Sequence, residues 1–569
     1  MPTIPDLLRF LYGPSQGDEA ARRLLARLAA FRREHPHLQE APPPHHRLTE
    51  HDAVLITYGD QFRTPDQPPL RTLHRFLRTH LGESISAVHI LPFFPYSSDD
   101  GFSVIDYRRV DPHLGSWNDI RALEHDYRLM FDAVINHVSR QSAWFQGFLR
   151  GEAPYTDYFI VVDPHTDLSQ VVRPRPWPLL TPVETAQGLR HVWTTFSTDQ
   201  IDLNYANPAV LLEIADLLLF YVARGARIIR LDAIAYLWKA IGTPCIHLPQ
   251  THAVVKLFRA MLDEAAPGVL LITETNVPHA ENIAYFGNGY DEAQLVYNFT
   301  LPPLTLHALQ TGDASRLTQW ARTLATPSEA TTFFNFLASH DGIGVRPAEG
   351  WLSSAEIEAL AEQTLAHGGR VSTYARADGS QAPYELNITW YDALNDPAHP
   401  SEHDIPRFMA SQAIMLALAG VPGIYVHSLF GSRNCQTCLQ ERGQPRALNR
   451  EKFTYPALEA QLADPHSRPA RILRAYRRLL NLRRQHPAFH PQAAQEVLSL
   501  HPGVFAVRRG EGPNAVLVLV SVHPTALTVA APRQEGLPRA PWRDVLSGET
   551  VSTPTITLAP YQVRLLTAR

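Results

Sequence analysis

The apolar residues of the chain form short runs that alternate with stretches of helical periodicity. Each run is bounded by polar residues, glycine or proline, and helical stretches such as residues 211–223 and 254–265 separate most of them. Strands that alternate with helices predict an α/β fold with a parallel sheet, and eight of them predict a closed (β/α)8 TIM barrel. The eight runs are residues 54–58, 88–93, 129–135, 228–231, 269–273, 295–299, 333–337 and 421–426.

The pattern changes at both ends of this central region, which we place at residues 49–490. Over residues 1–48, Leu24, Leu28 and Phe31 recur at helical spacing, which predicts an N-terminal helical segment. Over residues 491–569, β-type runs separated by glycine and proline predict a C-terminal antiparallel β domain. Two gaps between runs are too long for one helix. They predict an inserted subdomain at about 140–200 and a long loop at about 342–405.

Composition narrows the classes of protein to which the chain can belong. Apolar residues make up 45% and charged residues 19%, which excludes a disordered chain and a coiled coil. The net charge of −5 gives no electrostatic argument for binding nucleic acid or an anionic membrane. The longest apolar run, residues 413–426, is too short to cross a bilayer, and Pro5, Asp6 and Arg9 interrupt any signal-peptide core. We therefore expect a soluble, reduced, cytoplasmic protein.

The cysteines give no strong signal. Cys245, Cys435 and Cys438 are too few for a disulfide framework. Cys435 and Cys438 have the spacing of a redox-active pair or of half a metal site. They lie in a polar loop without a second cysteine pair or an adjacent histidine, so we expect no function there.

Polar side chains follow several predicted strands at the point where each strand ends, which is where a (β/α)8 barrel carries its active site. A single aspartate at such a position more often caps a helix than catalyses. Three desolvated carboxylates on one rim would repel each other, however, and function is the usual reason for such an arrangement. The polar residues at these strand ends are Asp132, Asn136, His137, Arg230, Asp232, Glu274, His340 and Asp341.

Two of the carboxylates suit a retaining reaction at a sugar acetal. Such a reaction needs one nucleophile and one proton donor about 5 Å apart. Arg230 precedes Asp232 by two residues on the same strand, so it points to the same side and would keep that carboxylate ionised. Glu274 would need a raised pKa to donate a proton, and it would then act as a base.

At these positions the chain resembles the α-amylase superfamily of retaining α-glucosidic enzymes, glycoside hydrolase family 13. The resemblance covers roughly residues 50–569 and implies that Asp232 is the nucleophile, Glu274 the acid/base and Asp341 the stabiliser of the transition state. It also implies that His137, Arg230 and His340 line the glucose subsite, and that the insertion and the terminal β domain are the family's B and C domains. Four motifs carry it, in the family's order: Asp132-Ala-Val-Ile-Asn136-His137, Arg230-Leu-Asp232-Ala, Thr273-Glu274 and His340-Asp341.

Further motifs resemble the sucrose-phosphorylase-like subgroup of this family. This resemblance implies that Arg175 binds phosphate and that Tyr384 is a mobile-loop tyrosine. It also places Arg450 at the bottom of the glucose pocket with an aspartate partner, for which we choose Asp99 over Asp100. A pocket closed by such a pair admits one terminal glucose rather than a polysaccharide. The motifs are Gly242-Thr-Pro-Cys245, Leu301-Pro-Pro-Leu304 and His340-Asp-Gly-Ile-Gly344.

On the acceptor side the chain departs from sucrose phosphorylases. Thr-Asn-Val-Pro-His279 follows the acid/base, and Glu385 stands where they carry a glutamine. These segments are most similar to those of glucosylglycerate phosphorylases, which release glucose 1-phosphate and D-glycerate from 2-O-α-glucosylglycerate. A glycerate carboxylate favours a cation, and Arg433 is our candidate, with Arg442 and Arg446 in the same loop.

Alternatives stay open at this point. Sucrose, sucrose 6'-phosphate and glucosylglycerol phosphorylases belong to the same subgroup, and an α-glucoside hydrolase, a transglucosidase or a non-catalytic barrel are less favoured. The resemblance implies inorganic phosphate as a co-substrate. The chain has no P-loop motif, so we expect no nucleotide, and no feature of the sequence requires a cofactor or a metal. Asn136 is the one obvious calcium-ligand candidate. The expected partners are a small-molecule glucoside and phosphate, without nucleic acid or membrane, and a homodimer is compatible with the sequence.

Overall fold

The computed structural model of the protein describes residues 2–174, 178–375, 380–531, 541–552 and 554–568. Eight parallel strands close into a barrel and neighbour each other in the order in which they occur along the chain. Each overlaps one predicted run, so the predicted (β/α)8 fold is confirmed. We label the barrel strands β1 (Val54–Thr57), β2 (Ala87–Ile90), β3 (Arg128–Ala133), β4 (Ala226–Leu231), β5 (Leu270–Thr273), β6 (Leu295–Tyr297), β7 (Thr332–Asn335) and β8 (Val421–Tyr425).

The barrel strands are apolar on both faces because both faces are buried. One face fills the barrel interior and the other packs against the surrounding helices, so a continuous apolar run replaces the alternation of a half-exposed strand. Every residue of β1 and β8 is buried. Asp132 in β3 and Arg230 in β4 depart from this pattern, and they form a salt bridge with each other.

The helices around the barrel begin at residues that favour helix starts. Helix Pro208–Ala223 follows Asn207, whose side chain accepts a hydrogen bond from the backbone N–H of Ala209. In the described part of the chain, no helix is long and apolar enough to cross a membrane. The helices there are Ile4–Glu34, Pro69–Phe76, Trp117–Asp126, Ala143–Leu149, Pro208–Ala223, Pro249–Ala265, His279–Ile283, Leu301–Thr311, Ser315–Ala321, Ser354–Ala366, Trp390–Leu394, Asp404–Ala417, Gln436–Arg442, Tyr455–Ala463 and Arg468–Gln485.

The segment between β3 and β4 folds into two antiparallel strand pairs. His137–Ser139 pairs with Gln200–Asp202, and Leu180–Thr185 pairs with Gly188–Trp193. A small apolar cluster around Trp193, separate from the main core, packs beneath the second pair. The insertion therefore has a core of its own, and its first strand begins directly where β3 leaves the barrel.

The segment predicted as a long loop at about 342–405 contains regular structure. Helix Ser354–Ala366 lies beside an antiparallel sheet in which Gln381–Asn387 pairs with both Ile343–Gly344 and Arg370–Ala375. The expectation of a loop missed this sheet because polar residues interrupt the apolar pattern of its strands. The central strand carries Tyr384 and Glu385.

The chain begins with helix Ile4–Glu34 and ends in a β-sheet. The helix packs against helices Pro208–Ala223 and Pro249–Ala265 on the outside of the barrel. It bends at Gly13, whose φ of +75° suits a residue without Cβ. The C-terminal sheet is antiparallel, with strand order Gln495–His501, Val504–Arg509, Val516–Ser521, Val563–Ala568, Trp542–Asp544 and Thr550–Val551, and Leu527–Ala530 pairs separately with Thr555–Leu558.

Cys435 and Cys438 form a disulfide, which corrects the expectation of a fully reduced chain. Helix Gln436–Arg442 starts directly after Cys435, and this helical turn brings the two sulfurs together. Cys245 is free and buried.

Lys239 ties the insertion to the barrel through a buried salt bridge. Its Nζ lies 2.6 Å from Asp202 Oδ2 and 2.7 Å from Asn136 Oδ1, the oxygen that the sequence offered as a calcium ligand. The Asp202 carboxylate also accepts hydrogen bonds from the backbone N–H and hydroxyl of Thr195. Burial lowers the pKa of Lys239, and the charge of Asp202 opposes this effect. The ammonium therefore holds together Asn136, directly before the first strand of the insertion, and Asp202, in the strand that pairs with it.

We expect Lys239→Met to lower the thermal unfolding temperature clearly, because a buried carboxylate that loses its partner costs about 3–5 kcal/mol. Lys256→Met is the matched control. Lys256 pairs with the buried Asp291, but its own side chain is 29% exposed against 3% for Lys239, so water can replace part of the lost interaction and the loss should be smaller. The double variant Lys239→Met/Asp202→Asn removes both charges and should recover part of the loss. Equal unfolding temperatures for the two lysine variants would contradict this role.

Candidate active site

A pocket of about 480 Å³ opens at the C-terminal ends of the barrel strands. Its walls come from the loops that follow the strands, from the insertion and from strand Gln381–Asn387. Most of the predicted site residues meet here. Those that line the pocket are Asp99, His137, Asp232, Glu274, His340, Asp341, Tyr384 and Glu385.

Arg230 is buried beside the pocket and contacts carboxylates at the ends of three strands. Its Nη1 donates to Asp232 Oδ1 at 2.6 Å and also to Asp132 on β3. Its Nη2 lies 3.9 Å from Glu274 Oε2, directly after β5. Because water screens buried charges poorly, these contacts are stronger than they would be at the surface. One guanidinium thus orients the groups at the ends of β3, β4 and β5.

The charge of Arg230 is divided between Asp132 and Asp232. Burial alone would raise the pKa of Asp132, but Arg230 and His89 outweigh it and lower this pKa to about 2. The His89 Nε2 lies 2.6 Å from Asp132 Oδ2. Burial raises the pKa of Asp232, Arg230 opposes the rise, and the Asp132 charge adds to it. The sequence indicated Arg230 as the partner of Asp232 alone, whereas in the structure Arg230 also binds Asp132.

Glu274 is placed to hold a proton near neutral pH. Burial raises its pKa to about 7, and the charges of Asp232 and Asp341 add to the rise, while Arg230 opposes it. Its Oε2 accepts a hydrogen bond from the backbone N–H of Ala233 at 3.1 Å. Since Arg230 lies closer to Asp232 than to Glu274, the guanidinium favours the ionised form of Asp232 and leaves the shared proton on Glu274.

The imidazoles predicted for the glucose subsite are buried and fixed by their neighbours. His137 Nε2 lies 2.9 Å from the backbone oxygen of Phe102. The His340 ring stacks on Phe102 with 4.6 Å between ring centroids, and burial lowers the pKa of His340. Arg450 Nε donates to the His340 backbone oxygen at 2.8 Å. The sequence reasoning missed Phe102, although it follows the Asp99-Asp100-Gly101 turn that the resemblance singled out.

The salt bridge at Arg450 is shared between two neighbouring aspartates. Arg450 Nη1 lies 2.9 Å from Asp100 Oδ2 and 3.4 Å from Asp99 Oδ1. Asp100 also accepts from Arg442, whereas Asp99 lines the pocket. Both aspartates have φ near +50°, a region that residues with a side chain rarely adopt, so this turn holds two strained residues beside the pocket. The assignment of Asp99 to the glucose subsite stays a prediction.

Arg446 is a cation that lines the pocket and contacts two of its carboxylates. Its Nε and Nη2 bind the two carboxylate oxygens of Glu385 at 3.0 and 2.7 Å, and its Nη1 lies 2.7 Å from Asp341 Oδ1. The planar guanidinium of Arg446 therefore joins Asp341 to Glu385, the residue for which the sequence resemblance expected a glutamine. The sequence offered Arg446 as one of three arginines in this loop that could meet a glycerate carboxylate, with Arg433 as the chosen candidate.

Arg433 does not reach the pocket. Its Nη1 lies 3.4 Å from Asp392 Oδ1, and its side chain lines a different cavity. The loop turns its side chain toward Tyr391 instead, so the structure does not bring this predicted acceptor-binding residue together with the other site residues. Arg175 lies outside the described residues.

The fold and the pocket together define a barrel enzyme with nucleophilic and acid/base groups for chemistry at a sugar acetal. The catalytic-domain family of α-amylases matches residues 80–359. The glucosylglycerate phosphorylase of Allomeiothermus silvanus is 54% identical over 522 residues, which are 91% of this chain and 92% of that protein. The glucosylglycerate phosphorylase of Escherichia coli K12 is 43% identical over 98% of this chain and 99% of that protein. The chain belongs to the α-amylase family.

Solved structures share the same fold. The crystal structure of sucrose 6F-phosphate phosphorylase from Thermoanaerobacter thermosaccharolyticum aligns with a TM-score of 0.74 at 23% identity. The alignment covers 89% of this chain and 98% of that one. The overall fold is thus shared with a protein whose sequence has diverged widely.

The raised pKa of Glu274 predicts an alkaline limb in the activity profile. A proton donor acts only while protonated, and this fraction falls as the pH rises through about 7. We expect kcat/KM for an α-glucoside with a poor leaving group to fall above that pH. For 4-nitrophenyl α-D-glucoside, whose leaving group needs little protonation, the decline should be much weaker. Identical alkaline limbs for both substrates would argue against Glu274 as the donor.

Proposed function

We propose that the chain is a retaining glycoside phosphorylase that converts 2-O-α-D-glucosyl-D-glycerate and phosphate into α-D-glucose 1-phosphate and D-glycerate. One combined observation supports this proposal. Relatives of that name are 43–54% identical over at least 91% of this chain, and Asp232, Glu274 and Asp341 all line one pocket. A non-catalytic barrel would have no need of the three carboxylates together.

In the first step, an Asp232 carboxylate oxygen attacks the anomeric carbon of the glucosyl group. The bond to the glycerate oxygen breaks, its electron pair stays on that oxygen, and Glu274 supplies the proton. The products are a glucosyl ester on Asp232 and free D-glycerate. Asp341 stabilises the positive charge that develops on the sugar ring.

In the second step, a phosphate oxygen attacks the same carbon from the face that glycerate has left. The ester bond to Asp232 breaks, and Glu274 recovers its proton from the incoming phosphate. Two inversions restore the α configuration. Phosphate is anionic and already nucleophilic, so this step depends less on base catalysis than attack by water would. Tyr384 and Arg175 are our candidates for holding the phosphate.

The acceptor site must admit an anion beside carboxylates. Glu385 and Asp341 would repel the carboxylate of glycerate, and the guanidinium of Arg446 offsets both charges. We therefore assign to Arg446 the acceptor-side role that the sequence gave to Arg433. The pair formed by Arg450 with Asp99 and Asp100 closes the other end, which fits a single terminal glucose.

The alternatives concern mainly the acceptor. Sucrose, sucrose 6'-phosphate or glucosylglycerol in place of glucosylglycerate would use the same three carboxylates, and so would a hydrolase or transglucosidase. We propose inorganic phosphate as co-substrate without a cofactor or a metal, and a cytoplasmic location with a homodimer as one assembly state.

The decisive experiment compares phosphorolysis with hydrolysis. With 2-O-α-D-glucosyl-D-glycerate and phosphate we expect α-D-glucose 1-phosphate, and without phosphate we expect very little glucose, because water is a weak acceptor here. Asp232→Asn, purified in the same way, controls for contaminating glucosidases. Glucose release at equal rates with and without phosphate would identify a hydrolase. Faster cleavage of sucrose or glucosylglycerol would overturn the acceptor assignment.

The role of Arg446 predicts a selective defect for Arg446→Lys. Lysine keeps the charge but cannot bridge Glu385 in two places and Asp341 at once. Loss of one charge-assisted hydrogen bond of about 1.5–3 kcal/mol should raise the KM for D-glycerate in the synthetic direction roughly 10- to 100-fold. The KM for glucose 1-phosphate should change much less. Arg442→Lys, at the exposed partner of Asp100, is the control, and an unchanged KM for D-glycerate in Arg446→Lys would refute the assignment.

A further inference from the structure

A second cavity, of about 510 Å³, lies outside the catalytic pocket. Its lining comes from the segments 430–437 and 451–454, from helix Tyr455–Ala463 and from the start of helix Arg468–Gln485. Its volume is within the usual range for small-molecule sites. Arg433 and Arg468 line it, together with polar side chains such as Thr437, Thr454 and Gln461. The catalytic residues Asp232, Glu274 and Asp341 line the other pocket. We name this second cavity the arginine cavity.

The two guanidinium groups of the arginine cavity lie against one aromatic ring, which belongs to Tyr391 and lies beside the cavity. The guanidinium carbons of Arg433 and Arg468 lie 5.6 and 5.2 Å from the centroid of the Tyr391 ring. Within the described chain Arg468 makes no hydrogen bond or salt bridge, and its Nε is buried without a partner. Burial lowers the pKa of Arg468 and the charge of Arg433 adds to this effect, while Tyr391, Asp392 and Asp404 oppose it. Two like charges against one ring favour an anion that contacts both of them.

The carboxylates nearby only partly balance these charges. Asp392 lies 3.4 Å from Arg433 and accepts a hydrogen bond from the backbone N–H of Asn434 at 2.7 Å. Glu451 lines the cavity, and burial raises its pKa. The ammonium of Lys452 is paired with a carboxylate already, because it lies 2.7 Å from Asp60. The cavity therefore offers two planar cationic forks. Arg433 forms a salt bridge with Asp392, whereas Arg468 interacts with Asp392, Asp404 and Glu451 only at longer range.

From this geometry we propose that the arginine cavity binds a polyhydroxylated phosphate monoester, with its phosphoryl group on Arg433 and Arg468. Guanidinium forks match the geometry of phosphoryl oxygens. The remaining volume exceeds that of a bare phosphate, and Thr437, Thr454 and Gln461 supply hydrogen-bonding partners for hydroxyl groups. This ligand site is distinct from the phosphate position of the proposed reaction and does not depend on it.

One segment of the chain, residues 430–454, contributes to both the arginine cavity and the catalytic pocket. Residues 430–454 carry Arg433 on the cavity side, whereas Arg446 and Arg450 serve the catalytic pocket from the same loop. Asn434 fastens this loop, since its backbone N–H binds Asp392 and its side-chain oxygen accepts from the Thr389 N–H at 2.8 Å. A ligand in the arginine cavity therefore contacts a loop that also sets the acceptor side.

The test is calorimetric titration of the full chain with D-ribose 5-phosphate. We expect saturable binding to the wild type and at least roughly tenfold weaker binding to Arg468→Met, since each 1.4 kcal/mol corresponds to a factor of ten in Kd. Arg471→Met is the matched control, because Arg471 is exposed on the same helix and does not line the cavity. Its Kd should equal that of the wild type. Inorganic phosphate should bind the cavity more weakly than the monoester.

Several outcomes would overturn the proposal. They are no binding to the wild type, and equal Kd values for the wild type and Arg468→Met, which would place the ligand elsewhere. Inorganic phosphate binding as tightly as the monoester would refute the role of the hydroxyl groups. Should Arg468→Met unfold at a lower temperature than Arg471→Met, Arg468→Lys decides instead. It keeps the charge but not the fork, and its Kd should still rise severalfold.

Discussion

The guanidinium of Arg230 is the contact on which the catalytic pocket depends. Barrel closure brings the ends of β3, β4 and β5 together, and each end carries a carboxyl group. Without a cation among them, three buried carboxylates would take up protons or separate. Arg230 allows Asp132 to remain ionised and leaves Asp232 and Glu274 to divide one proton unequally. The asymmetry between Asp232 and Glu274, which we propose as nucleophile and acid, thus follows from two distances to a single side chain, 2.6 and 3.9 Å.

The sequence predicted the barrel and the polar residues at its strand ends because both depend on short stretches of sequence. A strand that is buried on both faces is apolar along its whole length, as β8 is. The end of such a strand can be recognised from the polar residue that follows it. The sheet formed by Arg370–Ala375 and Gln381–Asn387 escaped notice because its strands carry polar residues on both faces. Its stability comes from neighbours distant in the sequence, which no local pattern records.

The choice between Arg433 and Arg446 shows where such reasoning ends. Both are arginines in one polar loop, and the sequence around them offers no reason to prefer either. The difference arises because the turn after Pro445 faces Glu385, while Asn434 fixes the preceding segment against Asp392. The orientation of each side chain is therefore decided by carboxylates from other parts of the chain. This division gives the loop two faces, one for each cavity.

The scarcity of lysine has a practical consequence. The chain has three lysines, Lys239, Lys256 and Lys452, against 51 basic residues in total. Their ammonium groups bind Asp202, Asp291 and Asp60, and the side chains of Lys239 and Lys452 are only 3% and 8% exposed. Amine-directed reagents used for fluorescent labelling, cross-linking or attachment to a support will therefore find Lys256 as their main side-chain target. A dye introduced in this way would report from one known position beside helix Pro249–Ala265, without the catalytic pocket being altered.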